Sequence, residues 1–150
     1  MLPERSSGVV LGERFALEAR VGEGGMAAIY RARDQRTGSV VAIKLLHANA
    51  RSAYIQEHFI REAEILASLE HPHIVSYIAH GRAQDGAAYL AVEWLDGEDL
   101  AHRLTRGPLP LSETLKLATI LADTLKMTHS RGVIHRDLKP SSISAVENAA

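Results

Sequence analysis

Between Phe15 and Glu93 the chain breaks again and again into short apolar runs separated by turn residues. Runs rich in apolar and β-branched side chains lie at Phe15 to Val21, Ala28 to Ala32, Val40 to Leu46, Ile74 to His80 and Ala87 to Val92. Their length and composition predict five strands. The connecting segments Gly22-Glu23-Gly24-Gly25, Arg36-Thr37-Gly38 and Gln84-Asp85-Gly86 carry hairpin chemistry, which favours antiparallel pairing over parallel crossovers. One helix interrupts the strands. From Ser52 to Leu69 the residues Ile55, Phe59, Ile65, Leu66 and Leu69 fall near helical spacing, and His71-Pro72 supplies a stop.

After Trp94 the character changes. Asp99 to Thr105 predicts a short helix, Gly107-Pro108-Leu109-Pro110 a break, and Ser112 the N-cap of a longer helix that runs to about Ser130. That helix carries Leu115, Ala118, Leu121, Ala122 and Leu125 on one stripe. The pattern is α+β, with a boundary near Leu95 to Gly97 between a strand-rich lobe and a helical piece. With 150 residues, 46% of them hydrophobic, the chain can bury one sizeable core or two small lobes. A net charge of −1 and a pI near 6.7 give neither a basic run nor a basic face. Nucleic acid and anionic membrane surfaces are therefore excluded as expected partners. There is no Cys, so neither disulfides nor thiolate metal sites are available, and no helical His pair suggests zinc. Met1-Leu2-Pro3-Glu4-Arg5 lacks a secretory apolar stretch, and no run approaches the roughly 20 apolar residues of a membrane span. A cytoplasmic location is the expectation, and a membrane-tethered longer relative is compatible with it.

Three segments carry chemistry. In Gly22-Glu23-Gly24-Gly25-Met26-Ala27 the missing side chains let backbone N–H groups approach phosphate oxygens, although such a turn by itself is usually only a turn. Val41-Ala42-Ile43-Lys44 is a β-rich run ending in a cation, which alone would be a solvated surface charge. Glu62 follows Phe59 by three residues and precedes Leu66 by four, which puts a carboxylate at the edge of the apolar face of the helix. It either pairs with Lys44, satisfying both charges, or projects to solvent among Arg61 and Glu64. The third segment is His129-Ser130-Arg131-Gly132-Val133-Ile134-His135-Arg136-Asp137-Leu138-Lys139-Pro140.

Together these segments resemble the protein kinases, specifically the bacterial eukaryotic-like serine/threonine kinases, over roughly Phe15 to Ile143. Lys139 points to the serine/threonine branch. The resemblance implies a protein-kinase-like fold. Residues 1–14 would be an N-terminal extension and 15–94 a complete small lobe, a five-stranded antiparallel sheet plus one helix. Residues 95–150 would be a partial helical large lobe. By the same resemblance Val21, Ile29 and Ala42 sandwich adenine, and Gly22, Gly24 and Gly25 cover the phosphates. Lys44, paired with Glu62, holds the α- and β-phosphates. Val92 corresponds to the gatekeeper, the backbone of Glu93 and Leu95 to the adenine edge contacts, and Asp99 to a residue near the ribose. Asp137 corresponds to the group that accepts the substrate hydroxyl proton, and Lys139 to the cation near the transferred phosphate. His135 would be structural, and His71, His73 and His80 are expected in turns or at the surface. ATP and Mg²⁺ are the implied cofactors, and a protein substrate or docking partner is the implied partner.

Four departures qualify the activity. Ala27 stands at the last glycine position of the phosphate loop. Ser142 stands where the family has a metal-binding Asn, and Ser144 where it has the apolar floor under adenine. No Asp-Phe-Gly, the family's main Mg²⁺ ligand segment, occurs in the sequence, and neither do the activation segment that Arg136 would grip or the Ala-Pro-Glu region. The expectation is a serine/threonine kinase domain that transfers negligible phosphate as this chain alone. The alternatives are a pseudokinase-like nucleotide-binding or interaction module, and a truncated gene product without function. The apolar stripe of the long helix, if uncovered, invites self-association.

Overall fold

In a pleated strand, alternate residues face opposite sides, so the pattern of burial along two neighbours fixes which side is core. The computed structural model describes residues 8–50 and 52–146. Six strands, β1 (Val10–Leu11), β2 (Phe15–Glu23), β3 (Ala27–Asp34), β4 (Val40–Leu46), β5 (Tyr77–Arg82) and β6 (Ala88–Glu93), form a sheet in the order β1-β2-β3-β4-β6-β5. Every pairing is antiparallel. Along β3 the residues Ala28, Tyr30, Ala32 and Asp34 are buried, and along β4 Val41, Ile43 and Leu45 are buried while Lys44 is exposed. The buried side gathers Phe15, Leu17, Tyr30, Ile43 and Tyr89 into the main core, with the Phe15 and Tyr89 rings edge to face at 6.0 Å. Burying an aromatic or branched side chain of this kind contributes about 1.5 to 3 kcal/mol.

The opposite side of the sheet takes helix α1 (Ala53–Ala67). Phe59 of α1 packs with Ala27, Leu46, Ala50 and Ala88 in a second, smaller cluster. Ser52 caps the helix by accepting the Ile55 N–H at 3.3 Å. Arg82 of β5 donates to the Gln56 carboxamide and fixes α1 against the sheet edge.

The residues before Phe15 do more than extend the lobe. Leu11 is 2% exposed and belongs to the main core, and β1 pairs Val10 with Ala16 and Leu11 with Phe15. Gly12 and Glu13, both with positive φ, turn the chain between them, and Arg14 N–H donates to the Leu11 carbonyl at 3.0 Å. Two central residues of positive φ are the signature of a tight hairpin turn. A Cβ on Gly12 would collide with the Tyr89 hydroxyl. Next to the turn, Arg14 grips Asp34 with two hydrogen bonds, Nε to Oδ1 at 2.9 Å and Nη2 to Oδ2 at 2.8 Å. Asp34 is 2% exposed and also accepts the Arg36 N–H at 3.0 Å, which ties the start of β2 to the turn between β3 and β4.

Residues 8–70 and 75–94 make up this first unit, and residues 71–74 group with 95–146 in a second. The second unit contains β7 (Gly97–Asp99), α2 (Leu100–Leu104), α3 (Leu111–Ser130) and β8 (Ser144–Val146). β7 and β8 pair antiparallel, and the Leu100 N–H donates to the Ile143 carbonyl at 2.8 Å. Asp99 is the N-cap of α2, accepting the His102 N–H at 2.7 Å. The N-cap position of α3 is Pro110, not Ser112. Pro110 has an extended backbone, and its carbonyl accepts both the Thr114 N–H and the Thr114 hydroxyl. On α3 the expected stripe divides: Leu121 and Leu125 are half-buried, whereas Leu115, Ala118 and Ala122 are exposed together with Leu111. Among the described residues no helix is long and apolar enough to cross a membrane.

Gly12→Ala is expected to cost about 2 to 4 kcal/mol in urea unfolding, combining a disfavoured left-handed backbone with overpacking against Tyr89. The Arg14 guanidinium beside Asp34 holds its carboxyl at about 2, below the ordinary 3.8. A depressed carboxylate adds stability above its unfolded value and loses it as pH falls through the folded one. Stability should therefore drop between about pH 4 and pH 2 in the wild type, and Asp34→Asn should flatten that slope while removing about 3 kcal/mol at neutral pH.

Candidate functional site

Directly opposed residues of neighbouring strands share a face of the sheet. Gly22 opposes Ile29, Ile29 opposes Lys44 and Lys44 opposes Leu90, so one row crosses β2, β3, β4 and β6. The next row places Ala42 between Arg31 and Val92. Ile29, Ala42 and Lys44 thus stand together on the side of the sheet that faces α1. Val21 is the extra residue of a bulge, since Arg20 pairs with Tyr30 and Gly22 with Ile29, and it is 51% exposed. Bulges re-aim side chains in this manner.

Lys44 points its Nζ at the Phe59 ring, 5.6 Å from the centroid. The ion pair expected between Lys44 and Glu62 is not formed among the described residues, and Glu62 is exposed. The cause lies in helix phase. The buried positions of α1 are Gln56, Phe59 and Ala63, and at 3.6 residues per turn Glu62 stands about 90° from their centre.

Beyond the row, Gly24, Gly25 and Met26 make the turn between β2 and β3, closed by the Gly24 N–H donating to the Ala27 carbonyl at 2.8 Å. None of Gly22, Gly24 and Gly25 has a positive φ. A Cβ built on Gly22 or Gly24 meets nothing nearer than 3.6 Å, and one on Gly25 meets nothing within 4 Å. The protein's own packing does not demand glycine at these three places, in contrast to Gly12. His47, one residue past β4, donates its N–H to the Met26 carbonyl at 2.8 Å, and its Nε2 lies 3.1 Å from the Gly24 carbonyl. Sequence reasoning had no signal for this residue, because its reach depends on the β3–β4 register. At the far end of β6, Glu93 donates its N–H to the Ser76 carbonyl at 3.0 Å and accepts the Ser76 N–H on its carboxylate at 2.7 Å. Its backbone donor is therefore engaged.

The remaining predicted residues belong to the second unit. Leu95 is half-buried, and the Asp99 carboxylate is used in capping α2. Asp137 and Lys139 are brought together, Nζ to Oδ2 at 3.1 Å, with both side chains more than half exposed. The Asp137 N–H donates to His135 Nδ1 at 3.3 Å, and Arg136 between them has a φ of 63°. A non-glycine residue at such an angle is uncommon and marks a constrained loop. The Ser142 hydroxyl donates to the Lys139 carbonyl at 2.7 Å and accepts the Lys139 N–H at 3.1 Å. It closes the loop locally. Nearby, the Arg106 guanidinium holds the Glu98 carboxyl below the usual carboxylate range. Of the expected surface histidines, His71 accepts the His73 N–H within a turn, and His80 bonds the Tyr77 hydroxyl at 2.7 Å.

A six-stranded antiparallel sheet with a glycine turn and one packed helix, followed by a short helical unit with an Asp–Lys pair in a constrained loop, is the α+β architecture of a protein-kinase-like fold with a partial large lobe. The chain belongs to the protein kinase domain family, which matches residues 15–149. Within it the chain is a bacterial eukaryotic-like serine/threonine protein kinase domain. It is 39% identical over 142 residues to Serine/threonine-protein kinase pkn2 of Myxococcus xanthus, covering 94% of this chain and 17% of that protein. It is 36% identical over 140 residues to Serine/threonine-protein kinase PknB of Mycobacterium leprae, covering 89% and 22% respectively. The crystal structure of the PknI kinase domain of Mycobacterium tuberculosis superposes with a TM-score of 0.82 at 30% identity, covering 97% of this chain and 60% of that one. The chain thus spans about a fifth of the length of these curated relatives.

Phe59→Ala should cost about 3 to 5 kcal/mol, as a buried aromatic truncation does. Glu62→Ala, at an exposed and unpaired position, should stay within about 0.5 kcal/mol in the same unfolding experiment.

Proposed function

We propose that the first unit binds ATP at the glycine turn and the Lys44 row, and that Asp137 and Lys139 serve transfer of its γ-phosphoryl to a protein Ser or Thr hydroxyl. The observation that carries the nucleotide reading is that Gly22, Gly24 and Gly25 stand where neither backbone angle nor packing requires glycine, at the end of the row holding Lys44. A missing side chain there leaves backbone N–H groups open to phosphate oxygens, and an ammonium on the same face supplies the countercharge. Ile29 and Ala42, on the face of Lys44, offer an apolar surface for a flat base, and the bulged Val21 borders it. Asp137 would accept the proton of the attacking hydroxyl, with the Lys139 ammonium 3.1 Å away keeping positive charge beside it.

In this family Mg²⁺ neutralises charge on the transferring phosphate. The residues here do not fit it. The Ser142 hydroxyl, at the position where the family has a metal-binding Asn, is committed to the Lys139 N–H and carbonyl. These 150 residues assayed alone are expected to incorporate negligible γ-phosphate into a generic protein substrate.

A second reading, an association module built on α3, is favoured by Leu111 at 74% and Leu115 at 60% exposure. Sedimentation that shows concentration-dependent dimers abolished by Leu115→Glu would support it, and a monomer at every concentration would remove it.

Saturating ATP at about 100 times its Kd should stabilise the chain by about 2.7 kcal/mol, seen as a rise in Tm. Lys44→Ala should abolish the rise, and Gly25→Val should weaken it without moving the Tm of the free protein. A Tm that millimolar ATP leaves unchanged would end the nucleotide reading.

A further inference from the structure

We propose that His47 is a positioning residue that clamps the glycine-rich turn for the phosphates of ATP, an inference that rests on the nucleotide reading above. A turn containing Gly24 and Gly25 in succession has more backbone freedom than any other pair could give it, and such freedom weakens binding because it must be lost when the phosphates are held. His47 removes part of that freedom in advance. It takes both carbonyls that flank the tip: Met26 through its backbone N–H at 2.8 Å, and Gly24 through ring Nε2 at 3.1 Å.

The reach follows from the register. Leu46 opposes Ala27, so the next residue of the chain lies beside Met26. The ring then extends across the base of the turn to Gly24. It is only 23% exposed on its side chain, and the Glu23 carboxylate lies 3.6 Å from the same Nε2. Glu23 is itself ion-paired to Arg20 of β2. Nε2 carries a hydrogen both in the imidazolium and in one neutral tautomer, so the ring can hold the Gly24 carbonyl in either charge state. A carbonyl oxygen held by a donor behind the turn is kept from swinging toward a phosphate, where it would repel negative charge. The clamp therefore acts on phosphate binding and leaves the apolar surface of Ile29 and Ala42 untouched.

The test uses the whole chain as His47→Ala and His47→Gln, the latter placing an amide N–H near the position of Nε2. Hydrogen exchange of the segment 20–28 in the free protein reads the clamp directly, and titration with ATP and with adenosine reads its purpose. In His47→Ala the Gly24 amide should exchange faster, and ATP should bind about fivefold more weakly, the worth of one hydrogen bond. Adenosine affinity should stay the same, and His47→Gln should restore both exchange and ATP affinity. Unchanged exchange in His47→Ala overturns the clamp, and so does an equal loss for ATP and adenosine. A wild type that binds no ATP instead overturns the nucleotide reading and the phosphate role with it, while the exchange comparison still decides the clamp on its own.

Discussion

The unbroken register between β3 and β4, from Ala27 opposite Leu46 to Arg33 opposite Val40, is the constraint on which both faces of the sheet depend. A slip of one residue would turn every side chain of β4 to the other side. Ile43, fully buried, would leave the core and the Lys44 ammonium would enter it, at a large desolvation cost. Hydrophobic burial of Val41, Ile43 and Leu45 and solvation of Lys44 thus select the same pairing. The candidate site is a by-product of that selection, because the row from Gly22 to Leu90 exists only in this register.

Arg14 and Asp34 support the register at its open end. Removing two charges from water costs more than their mutual attraction returns unless the geometry is good and the remaining lone pairs are used. Here the carboxylate receives two bonds from one guanidinium and a third from the Arg36 backbone. The arrangement locks the turn after β3 to the start of β2, while Glu18 on the neighbouring bulge holds Arg31 and Arg33. The two bulges of β2, at Glu18 and Val21, therefore serve different ends: one supplies a carboxylate to the half-buried Arg31 and Arg33, the other presents an apolar side chain beside the glycine turn.

Much of the fold is legible from local chemistry. The five principal strands, the helix of Ser52 to Ala67 and the short helix opening at Asp99 all appear within a few residues of where alternation, capping and turn residues put them. What escapes is what depends on distant partners. β1 has only two residues, too few to show a period, and is a strand because Ala16 and Phe15 pair with it. β7 and β8 are likewise strands only by virtue of each other. The start of α3 misled because Ser112 has the composition of a cap, whereas the extended backbone of Pro110 sets the boundary one residue before Leu111. For the site, the family resemblance names Gly22, Ile29, Ala42 and Lys44, and only the strand register shows that they share one face. The sequence could not decide the fate of Glu62, since helix phase a few tens of degrees either way separates a paired carboxylate from a solvated one. Nor could it find His47, whose importance arises from a turn more than twenty positions earlier in the chain.

The pairing of β7 with β8 joins residues that lie far apart in sequence, Gly97 with Val146 and Asp99 with Ser144, around the whole of α2, α3 and the Asp137 loop. During synthesis from the N-terminus, the sheet of the first unit has all its strands once Glu93 has emerged, while the segment Gly97–Asp99 must wait until α3 and the Asp137 loop have also been made. Closing so long a loop also costs chain entropy before any contact repays it. The two units can therefore mature at different times on the ribosome, the sheet bearing Lys44 early and the loop bearing Asp137 late. For that interval the backbone donors and acceptors of Gly97–Asp99 lack their β8 partners and are available to any other extended segment that reaches them before Ser144 does.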